Sequence, residues 1–481
     1  MPLPDRRAPR AGAKPLRIAA TVSLGAACLL AGAPVCGQAP SRSWTVTSGV
    51  ELSTPAAPAA DESLSQAWAA AGNRDPAVAA ARAQRDAARE RVGLARAAGA
   101  PTARIGATTN RQRGQINGGP SVDVDGGTAS LNLAMPLYRP QVGAAIEQAG
   151  IAESSSAQQQ IAAEQDLLLR VALAYLDVLV GIENLRAIAA QKTATAAQLA
   201  AAQRSLDVGT ATIVDPSEAR SRYDLVIAQE IAATTELATR RTALAQLTGR
   251  ISSQYRRLPA EAVLPQPRPS VLDEWLQTAR ERNPKTARAR HDLEVAQREI
   301  ERRRLGARPS LDLVGSVGRE VNPSVQFFGT RTNSAQLGLS FAWPIWDGGT
   351  VDAGVREAIA LTARAAAEVE AAEREAELEV RRLFRRLGSG IAMISALQNA
   401  ERSAETTLRS TQRAWEVGVR VNQDVLDAQQ QLFLTRRDLA RARYEYIADS
   451  LRIRRAAGVL EDADIERLSA LLSDPVAAVT R

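Results

Sequence analysis

The chain has 481 residues, with 60 Lys+Arg against 53 Asp+Glu, 4% aromatic residues, two cysteines and a single histidine, His291. So few thiols and imidazoles leave almost nothing from which to build a zinc or redox centre. A histidine-based catalytic triad would have to use His291, which sits in the polar helical stretch ARARHDLEVAQ and reads as a solvated helix residue.

Residues 1–39 read as a secretory signal peptide. Arg6, Arg7, Arg10, Lys14 and Arg17 form a basic start, IAATVSLGAACLLAGA a short apolar core, and small residues from Ala31 to Ala39 offer cleavage positions. The APV before Cys36 is a poor lipidation context, so cleavage is expected rather than a lipid anchor. Cys28 and Cys36 both lie here, and a mature chain would carry no disulfide. Removing the five basic residues and Asp5 lowers the net charge from +7 to +3, too little to argue for nucleic acid as a partner. Beyond the signal no apolar run approaches the ~20 residues of a membrane-spanning helix. The exported chain is then either soluble or enters a membrane as a β-barrel.

After a linker at 40–60, the chain repeats itself. Leu64, Pro76, Pro101 and Pro136 recur as Leu272, Pro284, Pro309 and Pro344, each 208 residues later. Val171, Gly209, Asp215 and Gly249 recur as Val380, Gly418, Asp424 and Gly458, at an offset of 209. This defines a first repeat at 61–249, a linker at 250–270, a second repeat at 271–458 and a C-terminal segment at 459–481. Each repeat opens with a helix, about 77–98 and 285–305, stopped by a proline. A strand follows, TARIGATTN or SLDLVGSVG, then a Gly/Asn-rich loop at 111–127 or 319–333. In the second strand Ala129, Leu131, Leu133 and Met135 alternate with Ser130, Asn132 and Ala134. Leu337, Leu339, Phe341, Trp343 and Ile345 do so with Gly338, Ser340 and Ala342.

The spacing then predicts proline-free helices over 142–207 and 351–416, each about 100 Å long at 1.5 Å per residue. Shorter helices return over 216–248 and 425–457. Val425, Leu432, Leu439, Tyr446 and Ile453 recur every seven residues, the spacing of left-handed coiled-coil packing. Alternating segments of about nine residues suit either a tilted barrel strand or a soluble β-meander. Tyr138, Trp343 and Trp346 stand at the strand-to-helix junctions, where interfacial aromatics belong. Four strands cannot close a barrel, and lipid tolerates no open sheet edge. Several chains must then contribute, and twelve strands rather than eight are needed for an open conduit.

At these residues the chain resembles the TolC-type outer-membrane efflux and secretion channels. The likeness is carried by LAMPLY at 133–138 and its counterpart FAWPIW, by VGVRVNQDVLDAQQQLF at 417–433, and by ARARYEYIADSLRIRRAAGVL at 440–460. It covers roughly residues 60–470. The implied fold is an α/β membrane protein: long coiled-coil helices form an α-barrel, and four transmembrane strands per chain join a shared twelve-stranded β-barrel. The linker and C-terminal segment would form an equatorial belt. The resemblance implies a homotrimer in outer-membrane lipid that docks on a periplasmic adaptor (a membrane fusion protein) and an inner-membrane ABC transporter or other pump. It would have no cofactor and no chemistry of its own, and would pass protein toxin, by type I secretion, or small molecules. The competing reading is a periplasmic coiled-coil adaptor or structural protein without a barrel.

Asp424 and Asp427 invite a metal or acid/base reading, but no further ligand or base lies nearby. The residues themselves suggest helix capping, with Asp424 at the N-cap and Asp427 three later, and Asp215 before Pro216 in the same role. The resemblance adds that Asp424 and Asp427 match aspartates ringing the periplasmic aperture, six carboxylates in a trimer. Arg420 matches an arginine that holds the entrance shut, and Trp415 stands where a tyrosine bonds the aspartate matching Asp215. Val214 replaces a threonine that receives the arginine's bond, so a differently wired lock is expected.

Overall fold

The computed structural model describes residues 56–59 and 62–476 apart from 73, 116–117, 211, 253, 260, 323, 328 and 473. The signal peptide and all of the first linker except 56–59 lie outside the described residues. In the first half, α1 (Leu64–Gly72) and α2 (Pro76–Ala97) lead into β2 (Thr102–Gln115) and β3 (Ser121–Tyr138). Then come α3 (Pro140–Asp207) and α4 (Val214–Thr248). The second half repeats the order: α5 (Leu272–Arg282), α6 (Pro284–Arg304), β6 (Ser310–Val321), β7 (Arg331–Ala342), α7 (Thr350–Glu416) and α8 (Asn422–Ala456). A short α9 (Asp462–Leu471) follows.

The duplication is visible in local chemistry. The Asp75 carboxylate accepts the N–H groups of Ala77 and Val78 at 2.9 and 3.0 Å, and Asn283 accepts those of Lys285 and Thr286 at 2.8 and 3.2 Å. Each cap is followed by proline at the first helical position, and each is worth about 1 kcal/mol. Gly458 closes α8 at φ +76°, where an added Cβ would stand 2.2 Å from the Arg282 carbonyl oxygen, so only glycine fits.

The 68 residues of α3 and 67 of α7 pair antiparallel with α4 and α8. The heptad positions Val425, Leu432, Leu439, Tyr446 and Ile453 are all buried. One core forms where Val171, Tyr175 and Leu179 of α3 meet Leu64 of α1, Tyr444 and Leu451 of α8, and Ile465 of α9. A second joins Trp275 of α5, Val380, Leu383 and Leu387 of α7, and Tyr446 and Ile453 of α8. Each buried side chain of this size contributes roughly 1.5–3 kcal/mol. In the first core Tyr175 donates to the Glu62 carbonyl at 2.9 Å and accepts the Arg256 N–H at 2.9 Å. Burial pushes the hydroxyls of Tyr255 and Tyr444 up to about 12.

The segments read as linkers carry strands. β4 (Arg250–Ser252) pairs in parallel with β1 (Ala56–Ala59), and β5 (Tyr255–Arg257) pairs antiparallel with β8 (Asp474–Val476). Three- and four-residue strands are too short to show period-two alternation, which is why the sequence pattern passes over them.

Candidate functional site: the two-faced sheet and the hairpin tips

β2, β3, β6 and β7 form one antiparallel sheet in that order. Its strands run 14, 18, 12 and 12 residues, longer than the nine the alternation suggested. Much of the expected loops at 111–127 and 319–333 is therefore paired strand. The reason is polar cross-strand pairing that a hydrophobic pattern does not register. Arg111 meets Asp125 through two bonds of 2.6 and 3.0 Å, and Arg113 meets Asp123 at 2.6 and 2.7 Å. At the second turn Asn322, at φ 49°, holds both the Asp125 carbonyl and the Gly329 N–H at 2.8 Å.

Residues directly opposite in an antiparallel ladder share a face. The register lines up Ile105, Leu131, Val317 and Ala335 in one row, then Ala103, Leu133, Gly315 and Leu337, then Met135, Leu313 and Leu339, then Leu311 and Phe341. The opposite face carries Arg104, Asn132, Ser316 and Gln336, then Gly106, Ser130, Gly318 and Ser334, then Thr108, Thr128, Glu320 and Thr332. Hydroxyls and amides bond across this face, as in Thr108 to Thr128 at 2.6 Å and Gln336 to Ser316 at 2.9 Å. One side is thus apolar and unpacked against any helix, with Leu133, Leu337, Leu339 and Phe341 exposed, while the other is hydrophilic. From Ala129 to Tyr138 the apolar band is roughly 23 Å tall at ~3.3 Å per residue and ~40° tilt, close to the ~25 Å band of an outer-membrane barrel. Tyr138 ends β3, and Trp343 and Trp346 follow β7 in the exposed segment before α7. There the Asp347 carboxylate accepts the N–H groups of Val351 and Gly349, and these bonds lower its pKa.

At the far ends of the hairpins the long helices α3 and α7 end alike. Gly209 and Gly418 sit at φ +77° and +78°, and Thr210 and Val419 donate back to Ser205 and Ala414 at 2.9 and 2.8 Å. This is the Schellman geometry that glycine permits. The capping expectation needs one correction. α8 begins at Asn422, so Asp424 is the third helical residue, and its carboxylate reaches back to the Val421 N–H at 3.4 Å. Asp215 does the same for Thr212, taking its N–H and its hydroxyl at 3.0 Å each. Neither aspartate is an N-cap, and Asp427 lies a turn further along α8.

Arg420 pairs with Asp424 of its own turn at 3.5 Å. Arg420, Trp415 and Asp215 line one cleft of about 390 Å³ at the junction of the two hairpins. Val214 opens α4 and is exposed. Asp427 is held across the helix pair by Arg222 of α4 at 2.7 Å, and Arg222 also donates to Gln430 at 2.6 Å. Three residues that the sequence reading missed tie the hairpins together. Asn422 accepts from Gln198 of α3 at 2.5 Å and donates to the Asp215 carbonyl at 3.3 Å, and Arg222 supplies the charged clamp. No local sequence signal marks them, because the partners of Asn422 lie 207 and 224 residues away. Among the described residues no cluster of three or more metal-ligating side chains exists, and no helix is long and apolar enough to cross a membrane.

A sheet with one lipid-like face and one wet face, continuous with paired helices of about 100 Å, is the architecture of a TolC-type outer-membrane channel. The family profile for outer membrane efflux proteins matches residues 69–250 and 275–459, and the chain belongs to that family. It is similar to the outer membrane protein TolC of Escherichia coli K12, at 30% identity over 446 residues, covering 89% of this chain and 88% of that one. It is also similar to the proteases secretion protein PrtF of Dickeya chrysanthemi, at 30% identity over 420 residues, covering 85% and 90%. The crystal structure of CusC superposes with a TM-score of 0.74 at 19% identity, covering 83% of this chain and 92% of that chain, a likeness of fold. The chain is accordingly an outer-membrane channel protein with a long periplasmic helical extension.

Proposed function

We propose that three copies of the chain form a passive exit duct that docks on a periplasmic adaptor and an inner-membrane pump and exports protein by type I secretion. The observation that carries this is the two-faced sheet with unpaired edges on β2 and β7. Along the order β2-β3-β6-β7 strand direction alternates, so β7 of one copy can pair antiparallel with β2 of the next, and three copies close a twelve-stranded wall. A barrel of that size keeps an open lumen, lined here by Ser, Thr, Asn and Gln. The name of PrtF, a secretion protein for proteases, supports a protein cargo; small molecules are the alternative cargo. Two near-equal halves, each with its own strand pair, argue against a periplasmic adaptor.

The periplasmic entrance is closed at the hairpin tips. Asp424 and Asp427 place carboxylates around the axis, which favours cations at the constriction. Arg420 and Asp424, together with Trp415 and Asp215 in the same cleft, form the latch. The test is reconstitution in planar bilayers. Wild-type protein runs as a heat-resistant trimer and gives small, cation-selective conductance; Asp424→Asn with Asp427→Asn moves the reversal potential toward zero selectivity. A monomer without conductance overturns the duct, and unchanged selectivity overturns the constriction.

A further inference from the structure

We propose that Arg319 and Arg331 form a clamp for the phosphate groups of an anionic glycolipid headgroup in the outer leaflet. The ladder fixes where they point. Arg319 lies opposite Ala129 and Asn333, and Arg331 opposite Val321, on the face that carries Leu131, Val317 and Ala335. Arg319 therefore stands in the end row of the apolar band, beside Ala129, and Arg331 in the next row out. Diagonal neighbours of this kind are roughly 7–8 Å apart at Cα, close enough for two guanidinium groups to share one phosphate.

Four arginines occupy this part of the outward face, and their states differ. Arg111 and Arg113 are already engaged by Asp125 and Asp123 in two-bond pairs. Arg319 and Arg331 are exposed and have no ion pair among the described residues. A bare cation at the edge of a hydrocarbon band is costly unless it reaches an anionic headgroup. Its planar fork matches phosphate in a way an ammonium does not. The other end of the band is built differently. It ends in Tyr138 and Trp343, and the arginine there, Arg139, is bound to Asp312 through bonds of 2.9 and 2.7 Å on the opposite face. One rim suits a neutral or zwitterionic interface and the other a phosphate-rich one, which assigns the Arg319 end to the glycolipid leaflet. The inference rests on the apolar face meeting lipid and is independent of the latch.

The test titrates the intact detergent-solubilised oligomer with bisphosphorylated lipid A, fully dephosphorylated lipid A, and inorganic phosphate, read by native mass spectrometry. Arg319→Gln with Arg331→Gln is expected to weaken bisphosphorylated lipid A binding by about tenfold or more. Arg96→Gln, which removes one charge from an exposed position on α2, should leave it unchanged. Dephosphorylated lipid A should bind wild type no better than the double variant. Equal binding of the two lipids, a double variant within twofold of wild type, or inorganic phosphate competing mole for mole with the lipid would each overturn the clamp. If the glutamine pair does not assemble, Arg319→Lys with Arg331→Lys keeps the charge and loses the fork. A threefold or greater loss then supports the clamp, and unchanged affinity overturns it.

Discussion

Asn422 is the sharpest handle on the tie between the hairpins. It is 2% exposed, and its partner Gln198 is 7% exposed. Replacing Asn422 with alanine removes the 2.5 Å bond from Gln198 and the 3.3 Å bond to the Asp215 carbonyl. The Gln198 amide is then a buried donor without an acceptor, at about 1–3 kcal/mol, and the longer bond adds less than about 1 kcal/mol. A loss of about 2 kcal/mol per chain shifts a local open–closed equilibrium roughly 30-fold. The expected result is larger or longer openings in single-channel recordings. Melting of the oligomer should hold, because Gln198 lies about 35 Å along α3 from the Tyr175 core. Gln198→Ala in the Asn422→Ala background should recover part of the loss, since it removes the stranded donor. Wild-type conductance from an intact Asn422→Ala oligomer would refute the tie.

Two other outcomes follow from the same geometry. The Glu299 carboxyl is held down to about 2, chiefly by Arg302 and then by Arg303 and Gln148. Because the folded value lies below the unfolded one, this stabilisation is complete above about pH 4.5 and is lost as pH falls toward 2. Thermal melting of Glu299→Gln against wild type should show a gap at pH 6 that closes near pH 2; a gap independent of pH would contradict it. Tyr175→Phe removes the donor to the Glu62 carbonyl and the acceptor of the Arg256 N–H inside a fully buried site, so it should lower stability by about 1–3 kcal/mol. Its conductance should match wild type, and an unchanged melting temperature would show that the hydroxyl is not needed.

The long helices and the strand pairs were legible because their patterns are long. Sixty residues without proline, and seven-residue spacing from Val425 to Ile453, leave few alternatives. The ladder beyond residue 110 was hidden because its pairs are Arg111 with Asp125 and Arg113 with Asp123, charged residues that read as loop. The start of α8 was misplaced by three residues because Asp424 resembles a cap, whereas its carboxylate reaches back to Val421 from inside the helix. Asn422, Gln198 and Arg222 were invisible for a different reason. Their partners lie 205–224 residues away, and no local pattern reports a contact made by folding the duplicated halves together.

The two hairpin tips share a helix-ending glycine turn but not a surface. Asp215 and Asp424 occupy the same place, yet Leu206 stands where the other copy has Trp415, and Ile213 where it has Asn422. At those two positions the first tip presents aliphatic side chains and the second an indole and an amide. In a ring of three chains, tips with aliphatic side chains at these two positions would alternate with tips bearing an indole and an amide.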